Sequence, residues 1–102
     1  MALDFHLEPV SERNPYVSIG LGSHGRLMGL AELHHAALLL RVHEYYDDAR
    51  FDMPELRSLN DEAARLRELC PGDPQLQTFL TELLELTERA LRAGCSIRVI
   101  AD

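Results

Sequence analysis

The second half of the chain carries two helical signals in succession, and they constrain the fold more than any other feature. Asp52 and Glu55 form a capping-box pattern ahead of a segment with apolar residues at helical spacing, which the Pro-Gly pair at 71–72 ends. Asp73 then caps a second segment with a strong apolar stripe, and Gly94 follows it as the C′ residue. Two amphipathic helices joined by so short a turn are predicted to pack as an antiparallel pair on a shared core.

Three other segments show the pattern of β-strands. Residues 3–7 and 16–21 alternate apolar with polar side chains and are joined by a polar connection, which predicts an antiparallel hairpin. Residues 95–100 form a third strand with β-branched side chains at three positions. Between the hairpin and the capped helices, residues 26–46 are helical in composition and apolar over much of the circumference, which is typical of a central helix. The predicted order is β-β-α-α-α-β.

The length of 102 residues suits one domain with one apolar core. We therefore predict a single compact α+β domain over residues 1–102. Its small, three-stranded, mainly antiparallel sheet is covered on one face by three helices, because the third strand can bury its apolar side only by joining the hairpin. The strand order stays open.

The charge balance argues against one class of ligand. Ten basic residues, all of them Arg, face seventeen acidic residues, and the formal net charge is −7. No segment concentrates Arg without interleaved acids, so we predict no binding to nucleic acid, which needs a basic surface.

No apolar run has the length that spans a bilayer, and the first residues lack a cationic region followed by an apolar stretch. We expect a cytoplasmic protein without membrane contact.

Cysteine and histidine patterns give no support for a metal or a disulfide. Cys70 and Cys95 flank the last predicted helix, whose roughly 20 residues separate them by about 30 Å. Glu32 and His35 form a single Glu-x-x-His unit, whereas di-iron bundles use two. His34 falls beside the apolar stripe and is predicted to be a hydrogen-bonded core residue. No nucleophile motif surrounds any Ser or Cys, so we predict no metal, no cofactor and no catalytic residue.

Three glycines form the sharpest motif of the chain. Gly20, Gly22 and Gly25 spell the G-x-G-x-x-G of dinucleotide sites between a strand and a helix. The following strand and its ribose-binding acid are missing, so we predict that the glycines instead supply positive φ angles and close packing at a strand-to-helix corner. Free amides at the helix start are a candidate site for a small anion. The candidate residues for that site are Ser23, His24, Gly25 and Arg26.

The leading functional prediction is a non-enzymatic, acidic protein-binding domain that neutralises or regulates a basic partner. The expected contact region mixes aromatic residues, which supply contact area, with carboxylates, which steer a cationic partner. Its residues are Glu44, Tyr45, Tyr46, Asp47, Asp48, Phe51 and Asp52. An alternative is that these aromatics belong to the core at a helix end.

Two further alternatives remain open. One is a small enzyme or ligand sensor that binds an anionic molecule at the corner formed by residues 20–25. The other is a homodimer formed through one of the open sheet edges.

Overall fold

A computed structural model of the chain describes residues 2–44 and 48–101. The elements are β1 (Leu3–Leu7), β2 (Tyr16–Ile19), α1 (Leu21–Leu33), a 3₁₀ helix (Leu39–Val42), β3 (Ala49–Phe51), α2 (Met53–Leu69), α3 (Pro74–Ala93) and β4 (Ile97–Ala101). The α+β class is confirmed.

The sheet has four antiparallel strands in the order β2-β1-β4-β3. The predicted hairpin of β1 and β2 is confirmed, with Leu3 paired to Ile19 and His6 paired to Tyr16. The predicted number of three strands is wrong, since the sheet has a fourth strand, β3. The sequence did not indicate β3 because this strand has only three residues and a single buried side chain. So short a strand shows no alternation that a sequence pattern can detect. β2 and β3 form the two edges of the sheet.

The core lies between the sheet and the helices. Alternate side chains of β1 are buried, and α3 packs on β1, on β2 and on α2. Phe5 occupies the centre, where it has 0% exposure and its ring meets the edge of the Phe79 ring at 5.5 Å between centroids. The polar alternates of β1 lie on the opposite face of the sheet and are partly exposed.

The predicted helix ends of the second half are confirmed. Asp52 and Glu55 form the capping box of α2, and Asp73 accepts a hydrogen bond from the Leu76 N–H at the start of α3. The backbone N–H of Asp52, together with Arg41, holds the pKa of Glu55 below its usual value. Gly94 ends α3 in the left-handed conformation. Local capping chemistry therefore sets both helix starts.

The long helix predicted over residues 26–46 is wrong. α1 ends at Leu33, and His35 then adopts a positive φ of 56°. The Glu62 carboxylate of α2 accepts hydrogen bonds from the backbone N–H groups of Leu38 and Leu39, at 3.1 and 3.0 Å. A side chain 23 or more positions away in sequence thus holds the turn that replaces the end of the predicted helix.

Candidate functional site

Only the first glycine of the motif stands at the predicted strand-to-helix corner, and it does not have the predicted positive φ. Gly20 is the N-cap of α1, and Gly22 and Gly25 lie inside the helix, as does Gly29. Within the described residues Gly94 is the only glycine with a positive φ. A Cβ atom added to Gly25 or Gly29 would meet no atom within 4 Å, so neither close packing nor backbone strain requires these glycines.

We therefore expect Gly29→Ala to stabilise the protein. A Gly in a helix interior lowers the free energy of unfolding by about 0.5–1 kcal/mol relative to Ala, because a chain with Gly loses more conformational freedom when it folds. Chemical denaturation should show an increase of that size. The matched control is Gly94→Ala, which should destabilise the protein because its φ of 70° disfavours a side chain. A loss of stability in Gly29→Ala would contradict the observation that a Cβ atom at Gly29 meets no atom within 4 Å.

Three of the four anion-site candidates, Ser23, His24 and Arg26, already contact other parts of the chain. The Arg26 guanidinium lies 2.7 Å from the Asp73 carboxylate and 2.7 Å from the Gln75 side-chain oxygen. This pairing holds the pKa of Asp73 below its usual value. The Ser23 hydroxyl contacts the same glutamine oxygen at 3.3 Å, and the neighbouring Gly25 carries no side chain. An anion at the start of α1 would have to compete with the Asp73 carboxylate for the Arg26 guanidinium.

His24 is the histidine of the core. Its side chain is 5% exposed, and Nε2 lies 2.6 Å from the Val42 carbonyl oxygen. The prediction that His34 is the core histidine is wrong, because His34 is only half-buried and caps the end of α1. The helical spacing of His24 with the buried Leu27 and Met28 was the sequence signal that pointed to the buried position.

Part of the predicted contact region lies outside the described residues, namely Tyr45, Tyr46 and Asp47. Phe51 has 0% exposure and belongs to the core, so its ring adds no contact area for a partner. This placement agrees, for Phe51, with the alternative that the aromatic residues of this region belong to the core.

The described acids of the same region divide between the fold and the surface. The Asp48 carboxylate accepts a hydrogen bond from the Ala101 N–H at 2.9 Å. Asp52 caps α2 and lies 3.4 Å from the Arg50 guanidinium. Glu44 is exposed. Two of the three described acids therefore hold β3, β4 and α2 in place.

The free edge of β2 offers backbone hydrogen-bonding groups. The Leu7 N–H donates to the Pro15 carbonyl, and the register continues without interruption along the two strands. Hydrogen-bonded pairs alternate in an antiparallel ladder, so Val17 is bonded to β1. The N–H and C=O groups of Tyr16 and Ser18 therefore point away from β1, toward the open edge.

A groove follows this edge between β2 and α3. One hollow of about 370 Å³ lies beside residues 15–17, and a second of about 500 Å³ lies beside residues 18–20. Glu82 of α3 lines both hollows, so they adjoin in the channel between β2 and α3. We call this channel the β2 groove. The residues of the β2 groove that matter below are Tyr16, Ser18, Glu82, Glu85, Arg89 and Arg92.

The charges of the β2 groove are ordered along its length. Glu82 and Glu85 are exposed, and neither takes part in a salt bridge within residues 2–44 and 48–101. Glu88, Arg89 and Arg92 line the hollow near the Pro15 end. The groove is therefore acidic in its middle and of mixed charge at the Pro15 end.

An aromatic side chain borders the same edge on the open face of the sheet. Tyr16 is 58% exposed, and its ring stacks on the ring of His6 with 5.1 Å between centroids. This stacking holds a large, amphipathic side chain in the open, next to the unpaired backbone of β2.

Comparisons of the chain with protein-family models, with curated proteins and with solved structures find no match. In the described part of the chain, no group of three or more potential ligand side chains could hold a metal ion. Among the same residues, no helix combines the length and the apolar character needed to cross a membrane. The β2 groove combines open backbone groups, an exposed tyrosine and charged side chains.

Proposed function

We propose that this chain is a non-enzymatic binding domain that recognises a basic partner protein and neutralises or regulates it. The observation that carries the proposal is the β2 groove, in which an open strand edge lies beside Glu82 and Glu85. These carboxylates belong to a chain with a formal net charge of −7, so long-range attraction and local contacts both favour a cationic partner.

A protein suits this groove better than a small molecule. The groove runs the length of a strand and lies open to solvent, whereas small-molecule sites enclose most of their ligand. Outward N–H and C=O groups at Tyr16 and Ser18 match the spacing of a polypeptide backbone. By covering a basic surface of its partner, the domain would compete with any anionic ligand that uses the same surface, which is how it would neutralise or regulate that partner.

The test compares two charge-reversal variants in an affinity capture. The wild-type domain, the groove variant Glu82→Lys with Glu85→Lys, and the control Asp61→Lys with Glu68→Lys are immobilised and exposed to extract of the organism that encodes the chain. Both variants change the net charge equally, but the control acids lie exposed on α2, away from the β2 groove. Bound proteins are identified by mass spectrometry.

We expect basic proteins to bind the wild type and the control, and to bind the groove variant at least about tenfold less, which corresponds to about 1.4 kcal/mol. Added salt should weaken the capture, because exposed charges are screened. Equal capture by the two variants would contradict the proposal.

The rival function is an enzyme or sensor that binds an anion at the start of α1. One observation favours it, since Gly20 provides no side-chain cap and the first turn of α1 holds no acid. A thermal-shift assay with phosphate and with a dinucleotide separates the two functions. The proposed function expects no change in Tm, because Arg26 is held by Asp73. A rise that saturates with ligand would support the rival.

A further inference from the structure

We infer that the basic partner binds by strand addition, in which an extended segment of the partner pairs with β2 as a fifth strand of the sheet. This inference rests on the proposed function and specifies which part of the partner is recognised and by which groups. It commits the β2 groove to one occupant, a segment of β conformation with Arg or Lys at alternate positions.

The backbone of β2 is open to such pairing. Natural sheet edges are usually protected by charged side chains, Pro, bulges or very short strands. The segment Tyr16–Ile19 contains no charge and no Pro, and it pairs with β1 residue for residue. Two outward groups on each of Tyr16 and Ser18 provide up to four hydrogen bonds, in the mode known as β-augmentation.

The opposite edge of the sheet is less suited to a partner strand. β3 has three residues, one fewer than β2, and it carries a charged side chain at its centre. The Arg50 guanidinium lies 2.8 Å from the Glu8 carboxylate, so this charge is fixed across the sheet. A short and charged strand discourages pairing. β2 is therefore the edge that is better suited to pair with a partner strand.

The charges of α3 define the side chains of the added strand. Side chains of a strand alternate between its two faces, so every second one would face α3. Those side chains would meet Glu82 and Glu85, which lie about one helical turn apart. Basic residues at alternate positions of the added strand therefore gain ion pairs with these two acids.

The first experiment uses a synthetic probe, because the partner is defined only by its chemistry. The probe is acetyl-Thr-Arg-Val-Arg-Thr-Arg-Val-Arg-Thr-amide, and the control peptide has Glu in place of each Arg. Amide exchange of the labelled domain is followed by NMR with each peptide at about 1 mM, a concentration that detects even weak binding. The bonded amides of Val17 and Ile19 serve as internal references.

The Arg peptide should slow exchange of the Tyr16 and Ser18 amides at least about fivefold, while the Glu peptide should leave both rates unchanged. Unchanged exchange of both amides with the Arg peptide would overturn strand addition.

The second experiment removes one outward donor. Ser18→Pro deletes an N–H at the free edge and leaves the hydrogen bonds to β1 in place, which an edge strand tolerates. The control Ser18→Ala keeps this N–H and loses only the hydroxyl, which donates to the Asp4 carboxylate at 2.5 Å. Circular dichroism checks the fold of both variants. We expect Ser18→Pro to bind the Arg peptide at least about tenfold more weakly, and Ser18→Ala to bind within about twofold of the wild type.

The outcomes separate this inference from the proposed function. If Ser18→Pro captures basic proteins as well as Ser18→Ala does, while reversal of Glu82 and Glu85 abolishes capture, strand addition is wrong and the proposed function stands. If reversal of the two acids has no effect, the proposed function fails. If sedimentation shows a dimer that Ser18→Pro dissociates, a second copy of the chain occupies the edge, and the inference is overturned.

Discussion

Replacing Phe5 with Ala is expected to lower the free energy of unfolding by about 3–5 kcal/mol, the range for truncating a buried aromatic side chain. Phe5 lies at the centre of β1 with 0% exposure, and its ring contacts Phe79 of α3. The loss combines the transfer free energy of the ring with the cavity that it leaves. In a domain of this size each kcal/mol corresponds to roughly 4–8 °C in Tm. Urea denaturation and a thermal melt measure both quantities.

A second variant separates lost volume from the lost aromatic contact. Phe5→Leu retains most of the apolar volume and should cost roughly 1–2 kcal/mol, because a smaller cavity remains. The exposed neighbour Tyr16 provides a surface control, since Tyr16→Ala should change stability by about 1 kcal/mol or less. A cost below about 1 kcal/mol for Phe5→Ala would show that the core does not centre on β1.

The position of Phe5 is one that the sequence predicts well. Alternation along β1 places its apolar residues on one face, and the helical stripes of α2 and α3 require a surface to cover. Capping residues such as Asp52, Asp73 and Gly94 act within one turn of the chain, so their effect is readable without the fold. Local chemistry therefore predicted the two capped helices and three of the four strands, whereas the bounds of the first helix were wrong.

The glycine motif shows where local reasoning fails. A G-x-G-x-x-G pattern predicts a tight corner because each Gly permits conformations that other residues avoid. In this chain Gly22 and Gly25 adopt ordinary helical angles, and their Cβ positions point to open space or to the Arg26 side chain. The glycines have the spacing of the motif, but their backbone conformation depends on where α1 begins. That start is one residue after Gly20, much earlier than position 26.

The β2 groove could not be predicted because it depends on strand order. Sequence alternation placed Tyr16 and Ser18 on the polar face of a strand, and the helical stripe left Glu82 outside the apolar side of α3. The order β2-β1-β4-β3 makes β2 an edge strand, and the packing of the helices brings α3 alongside it. Strand order follows from long-range pairing, for which a single sequence contains no direct signal.

Long-range contact also explains the shortened first helix, and it leads to the second large expected effect. Glu62→Ala should lower the free energy of unfolding by about 2 kcal/mol, because it leaves the part-buried N–H groups of Leu38 and Leu39 without their acceptor. Glu62→Gln should cost about 1 kcal/mol, since the amide oxygen can still accept one of the two hydrogen bonds. Urea denaturation gives the total effect, and amide exchange at Leu38 and Leu39 locates it.

Asp61 supplies the matched control for this prediction, since it is the adjacent acid on the same helix and is exposed. Asp61→Ala should change stability by about 0.5 kcal/mol or less, which is usual for a surface position. The Leu38 and Leu39 amides should exchange faster in Glu62→Ala but not in Asp61→Ala, while the Phe5 amide in β1 follows global stability. Equal losses in the two variants would show that the fold of the chain after α1 does not depend on the Glu62 carboxylate. A larger loss in Glu62→Ala, with faster exchange at Leu38 and Leu39, would establish that this carboxylate of α2 stabilises the turn that follows α1.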